Sequence, residues 1–270
     1  DFTISVDGGV ENVVYITGFT SGSLDGTSAG TSKDAFVTKY DSAGTLLWTK
    51  QLGTSTSSTE RAYGVSTDSN NNVYITGYTN GSIDGTSAGT SQDAFVTKYG
   101  SDGTLQWTKQ LGATGTQQAL GVSTDSNNNV YITGYTTGSI DGQPYHGSWD
   151  AFLTKYDSAG TKQWTKLLGL STEEQSLGVS TDSNSDVYIT GYTSGNLDGQ
   201  PNQGGTDAFV TKYNSDGTLQ WTKLLGTSST DRAWGIATST ATNNSSFITG
   251  EVYTADTFAS KLSTDLVKTV

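Results

Sequence analysis

Cysteine and methionine are both absent from the 270 residues, and proline occurs only twice. Without cysteine there is no disulfide and no thiol chemistry, although this does not fix the compartment, since many exported bacterial proteins also avoid cysteine. Basic residues are scarce: 14 Lys and Arg stand against 26 Asp and Glu, for a net charge of −12. No basic cluster is available to neutralise a run of phosphates, which argues against nucleic acid as a partner. No apolar run approaches the roughly 20 residues of a spanning helix, and no basic amphipathic helix would hold the chain on a bilayer, so no membrane insertion is expected. Hydrophobic residues are few as well, at 32%. Disordered chains share that trait but lack aromatics, whereas 14 Tyr, 8 Phe and 6 Trp recur here at fixed positions. The start at Asp1 fits a removed signal peptide or an excised domain, and with the acidic Ser/Thr/Asn/Gly-rich composition it gives an extracellular or cell-surface location as the expectation.

What the chain does have is one repeated stretch. Val-Tyr-Ile-Thr-Gly begins at Val14, Val73, Val130 and Val187, and Ser-Phe-Ile-Thr-Gly begins at Ser246, with spacings of 59, 57, 57 and 59 residues. Self-similarity at this period marks one supersecondary unit used repeatedly, and a unit containing several short strands points to a propeller.

The second repeat shows the parts most clearly. Arg61 to Thr67 reads as an inner strand whose small residues, Gly64 and Ser66, suit a crowded axis. Asp68-Ser-Asn-Asn-Asn72 is turn chemistry, and Val73 to Thr76 is a β-branched and aromatic strand buried on both faces. Gly77 is then expected to open a long loop. Asp93 to Tyr99 alternates as a third strand, Ser101-Asp-Gly103 turns, and Thr104 to Leu111 with Trp107 forms an outer strand. Four antiparallel strands per repeat give an all-β, five-bladed β-propeller as a single domain over 1–270, with blades of approximately 1–53, 60–112, 117–169, 174–226 and 231–270. The last blade departs most: its loop after Gly250 is short, and its final strand, near Leu266 to Val270, has no Trp.

These residues resemble the SBBP-type bacterial beta-propeller repeats. The resemblance lies in Asp34 to Tyr40, Asp93 to Tyr99, Asp150 to Tyr156 and Asp207 to Tyr213, in Trp48, Trp107, Trp164 and Trp221, and in the Val-Tyr-x-Thr-Gly strands. It implies a propeller fold and no particular activity.

Loops on a rigid scaffold are the usual seat of function. The long loops carry Leu/Ile-Asp-Gly at Asp25, Asp84, Asp141 and Asp198. In one reading Asp caps a turn and Gly takes positive φ; in the other, four equivalent loops offer repeated sites for a sugar or for calcium. The calcium set pairs Asp25 with Asp34, Asp84 with Asp93, Asp141 with Asp150 and Asp198 with Asp207, all hard oxygen donors, with calcium as an optional rather than required cofactor. Asp68-x-Asn70-x-Asn72 imitates the opening of a calcium loop but lacks its Gly and distal Glu, so it reads as a hairpin turn. The third loop alone adds Tyr145, His146 and Trp149, rings that stack on sugars or anchor a protein, or else pack as a minicore. One histidine cannot build a histidine-rich zinc site, and no Gly-x-Ser-x-Gly elbow accompanies it. Glycoside hydrolysis needs two facing carboxylates, while Glu60 and Asp231 each precede an Arg that suits a salt bridge. The expectation is a non-catalytic structural, adhesion or protein-interaction module whose partner is a protein or cell-surface glycan, with self-assembly into a larger structure as a further outcome. The alternative is a multivalent lectin using the Asp-Gly loops.

Overall fold

The computed structural model describes residues 2–9, 12–24, 26, 32–53, 57–86, 91–112, 114–239, 246–252 and 256–262, which form nineteen strands and no helix. Sheet 1 contains β1 (Phe2–Gly9), β2 (Val13–Thr20), β3 (Asp34–Tyr40) and β4 (Leu46–Leu52). Sheet 2 contains β5 (Glu60–Thr67), β6 (Val73–Thr79), β7 (Asp93–Tyr99) and β8 (Leu105–Leu111). Sheet 3 contains β9 (Gln117–Thr124), β10 (Val130–Thr136), β11 (Asp150–Tyr156) and β12 (Lys162–Leu168). Sheet 4 contains β13 (Glu174–Thr181), β14 (Val187–Thr193), β15 (Asp207–Tyr213) and β16 (Leu219–Leu225). Sheet 5 contains β17 (Asp231–Thr238), β18 (Ser246–Val252) and β19 (Asp256–Leu262); the strand expected near Leu266 to Val270 lies outside the described residues. Each sheet is an antiparallel meander in chain order.

The first strands line up, β1 beside β5, β5 beside β9, and so on to β17, and the second and third strands of each sheet also touch the first strand of the next. The sheets therefore fan out from a row of inner strands, as propeller blades do. Small residues make this row possible: a β-carbon on Gly178 would stand 3.3 Å from the Cα of Gly235 in the neighbouring sheet.

Each junction is a mixed core drawn from two sheets. Tyr74, Ala94 and Val96 of sheet 2 pack with Val122, Val130, Ile132 and Phe152 of sheet 3. Burial of one such side chain contributes about 1.5–3 kcal/mol, which explains how a chain of low overall hydrophobicity folds. The polar members of these strands are satisfied locally: Thr17, Thr76, Thr133 and Thr190 are buried, and each donates its hydroxyl to a carbonyl of the adjacent third strand at 2.6 Å. At the rim, Lys39 Nζ and Trp48 Nε1 both donate to Ser101 O of sheet 2, and Lys98 and Trp107 repeat this on Ser158 O of sheet 3. Four mixed cores join five sheets. The fifth core, which would join sheet 5 to sheet 1 in the closed ring expected from the repeats, is not among the described residues.

One expectation is corrected. Gly77 does not release the chain into a loop, because β6 continues through Tyr78 to Thr79. Its role lies across the sheet, where the register of β5 shifts between Ala62 and Gly64 and leaves Tyr63 as an extra residue. This bulge drives the carbonyl of Arg61 into the space over Gly77: a β-carbon there would meet Arg61 O at 1.7 Å. The same relation holds for Gly134 with Gln118 O and Gly191 with Gln175 O, each at 1.8 Å.

Candidate functional site

The bulge recurs in every inner strand, with Ile4, Tyr63, Leu120, Leu177 and Trp234 as the extra residues. A β-bulge bends its strand and re-aims a side chain, and such features gather beside functional sites. Next to the bulges stand the penultimate residues of the second strands, Phe19, Tyr78, Tyr135 and Tyr192. Of these positions, Tyr63, Trp234, Phe19, Tyr78, Tyr135 and Tyr192 are aromatic and form a belt where the inner strands begin.

Two pairs of rings touch. Tyr63 and Tyr78 lie 5.9 Å apart between centroids, and Tyr135 stacks on Trp149 at 4.9 Å with 19° between planes. Two guanidinium groups are set into the belt: Arg61 lies over Phe19 at 4.6 Å and over Tyr78 at 5.9 Å, and Arg232 lies over Tyr192 at 4.6 Å. Tyr192 donates its hydroxyl to Glu173 Oε1 at 3.0 Å. Burial, followed by the nearby Tyr63 and Tyr78 phenols, pushes the Tyr135 hydroxyl up to about 12. Burial also raises Tyr78 and Tyr192, the latter further through its bond to Glu173. These phenols therefore remain protonated donors at neutral pH, suited to hydrogen bonding and stacking rather than to proton abstraction.

Trp149 belongs to this belt. It is not folded into a minicore of its own loop, since its ring rests on Tyr135 of β10. Its loop neighbours turn inward on themselves: the Tyr145 hydroxyl donates to Ser148 O, and His146 donates its backbone N–H to Asp150 Oδ2 at 3.1 Å while its Nδ1 lies 3.6 Å from the same oxygen.

The Asp-Gly loops divide into two designs. In sheets 3 and 4, buried Ile140 and Leu197 anchor tight turns in which Asp141 and Gly142, or Asp198 and Gly199, both take positive φ. Asp141 pairs with Lys162 and accepts from the Thr165 hydroxyl at 2.5 Å. In sheet 2, Gln110 bridges the loop. Its backbone N–H donates to Asp84 Oδ2 at 2.7 Å and its amide to Asp93 Oδ2 at 2.8 Å. In sheet 1, Gln51 likewise donates to Asp34 Oδ2 at 2.9 Å, while Asp25 lies outside the described residues.

Of the expected carboxylate pairs, Asp84 and Asp93 are brought together: burial raises the Asp93 carboxyl, and the charge of Asp84 adds to the rise. Asp150 is raised by burial, opposed by His146 and then helped by the charge of Glu174, and Asp207 is raised by burial, opposed by the Gln203 N–H and then helped by the charge of Asp231, so the carboxylates acting on them come from the next inner strand. No group of three or more His, Asp or Glu side chains that could hold a metal ion occurs among the described residues. The first turns are hairpin turns: Asp68 Oδ1 accepts the backbone N–H groups of Asn70 and Asn72 at 2.9 Å, and its Oδ2 accepts the Tyr74 hydroxyl at 3.0 Å.

The sequence reading found Trp149 and singled out the two arginines, though as salt-bridge partners of Glu60 and Asp231 and not as groups stacked on rings, and it missed Tyr63, Tyr78, Tyr135, Tyr192 and Trp234. The signal was a length mismatch: Glu60–Thr67 has eight residues and its partner Val73–Thr79 has seven, so one inner residue must bulge.

Comparison with known proteins agrees with this repeat anatomy. The profile of the SBBP beta-propeller repeat matches residues 47–84, 106–141 and 163–198. The chain is 26% identical over 231 residues to the uncharacterized WD repeat-containing protein L264 of Acanthamoeba polyphaga mimivirus, covering 67% of this chain and 16% of that protein. It is 26% identical over 227 residues to the regulatory protein FlaEY of Caulobacter vibrioides, covering 72% of this chain and 24% of that protein. The chain thus spans a quarter or less of the length of these relatives. Among solved structures, a protein of unknown function from Bacteroides caccae aligns over 87% of this chain and 64% of its own, with a TM-score of 0.46 and 8% identity. Three successive units of the array thus match the SBBP beta-propeller repeat.

Proposed function

We propose that this chain is a non-catalytic protein-interaction module, acting outside the cell or at its surface, in which the five repeats form one body over 1–270. The aromatic belt carries the reading. Tyr63, Tyr78, Tyr135, Trp149 and Trp234 supply rigid rings with few rotatable bonds, and Arg61 and Arg232 are held in place by stacking. Tyr, Trp and Arg are the residues that dominate protein–protein hot spots. Trp234, 49% exposed, is the most accessible large ring of the belt. The relatives named as WD repeat-containing and regulatory proteins support an interaction role more than a sugar-binding one. The donors already bound to Asp84 and Asp141 likewise weaken the lectin alternative.

The test is affinity capture from the secreted and surface fractions of the source organism, using wild type, Tyr63→Ala and Trp149→Ala of verified fold. A protein retained by wild type and lost with both variants supports the reading. A retained protein indifferent to both variants, or retention that follows a sugar competitor instead, overturns it.

A further inference from the structure

Lys33, just before β3, and Arg61, the second residue of β5, meet at the junction of sheets 1 and 2. The Glu60 N–H donates to Lys33 O at 2.7 Å, which sets the two residues side by side, and both cations lie against one ring: Lys33 Nζ is 4.9 Å and the Arg61 guanidinium 4.6 Å from the centre of Phe19. At the next junction the same two repeat positions hold Gln92 and Gln118, joined by a hydrogen bond of 2.5 Å from Gln118 Nε2 to Gln92 Oε1. Lys33 and Arg61 thus bring two like charges to places whose side chains touch elsewhere in the array. Among the described residues neither cation has a carboxylate within salt-bridge distance or a hydrogen-bond acceptor, and Arg61 Nε is buried without a partner. Adjacent like charges repel, and a buried N–H without an acceptor carries a desolvation cost, so the pair is complete only with an anion between them.

The acids next to them in sequence do not serve. Side chains alternate across a strand, and Glu60 is fully buried on the other face, where it accepts the Thr79 hydroxyl at 2.7 Å. Asp34, also buried, accepts the Gln51 amide at 2.9 Å. Arg232, the other arginine of the chain, is placed differently, because its ring partner Tyr192 is bonded to the carboxylate of Glu173.

We propose that Lys33 and Arg61 seat a carboxylate of the protein partner, an Asp or Glu side chain that bridges Lys33 Nζ and the Arg61 guanidinium. The inference rests on the interaction reading above and names the group that the belt receives. A guanidinium forks onto a carboxylate through parallel N–H···O bonds, and stacking on Phe19 and Tyr78 already holds Arg61, so little side-chain freedom is lost on binding. The rings alongside suit the apolar carbons that flank such an acid. The net charge of −12 turns away acids that lack this fit, which makes the seat selective.

A random peptide library panned against the folded chain provides the test. The selected peptides should share an Asp or Glu. Replacing that residue by Asn or Gln, or introducing Arg61→Gln, should each weaken binding about tenfold or more, and the two changes together should cost little more than either alone. Gln118 and Gln175 occupy the Arg61 position in sheets 3 and 4, so the fold accepts Arg61→Gln. Lys223→Gln, at an exposed site on β16, should leave binding unchanged, and an equal loss there would reduce the effect to net charge and overturn the proposal. Selected peptides indifferent to Arg61→Gln also overturn it; if they are lost with Trp149→Ala the belt reading stands, and if they are indifferent to both variants, or none is selected, that reading falls as well. Binding of galacturonate in place of any peptide, abolished by Arg61→Gln, would overturn the proposal by assigning the seat to an acidic sugar.

Discussion

The carbonyl oxygen of Arg61 occupies the place where a side chain on Gly77 would begin, 1.7 Å from its β-carbon position. The glycine of the repeated motif is thus the partner of the β-bulge, and the bulge in turn projects Tyr63 into the aromatic belt. Gly77→Ala should cost about 3 kcal/mol or more, because backbone must move in a fully buried strand. Gly85→Ala, at positive φ with open space around it, should cost only about 1 kcal/mol. Urea unfolding of the two variants checks the contrast, and equal losses would contradict it.

The pair Asp141–Lys162 is particular to sheet 3, since the residue equivalent to Lys162 is Leu46, Leu105 or Leu219 elsewhere. Both partners are about one-third exposed. Lys162→Leu should therefore change stability by less than about 1 kcal/mol, with the difference shrinking in high salt. Thermal melts at low and high ionic strength provide the measurement.

Burial raises the Asp207 carboxyl, and the charge of Asp231 raises it further. A carboxyl whose folded pKa lies above its unfolded value of 3.8 favours the fold most below that value, and the contribution is lost as pH rises through the folded pKa. Asp207→Asn should accordingly raise the melting temperature at pH 7 and lose that advantage near pH 3. A variant less stable than wild type at pH 7 would contradict this account.

Much of this was legible in the sequence because it depends on local chemistry. The third strands Asp34–Tyr40, Asp93–Tyr99, Asp150–Tyr156 and Asp207–Tyr213 fall where the alternation put them, and the Asp68 turn follows from side chains bonding their own backbone. The belt was hidden because a bulge is a property of register between two strands, and Tyr63 and Trp234 occupy one extra position that no spacing within a single strand reveals. The two loop designs were legible only in combination. Gln51 and Gln110 accompany the loops of sheets 1 and 2, while Leu167 and Leu224 replace them where the loop continues Asp-Gly-Gln-Pro.

Gln110 already donates to both Asp84 and Asp93, which weighs against calcium in the second loop. Melting temperatures in calcium and in chelator should coincide. A rise of several degrees with calcium, lost in Asp93→Asn, would show that the ion displaces the glutamine bridge.

The most direct measurement of the interaction surface is hydrogen exchange of the chain with and without its captured partner. Protection should concentrate on residues 61–64, 118–121, 175–178 and 232–235, together with 145–149, where the bulges and Trp149 form the belt. Protection confined to the turns at 68–72, 125–129 and 182–186, with the belt unchanged, would contradict the account.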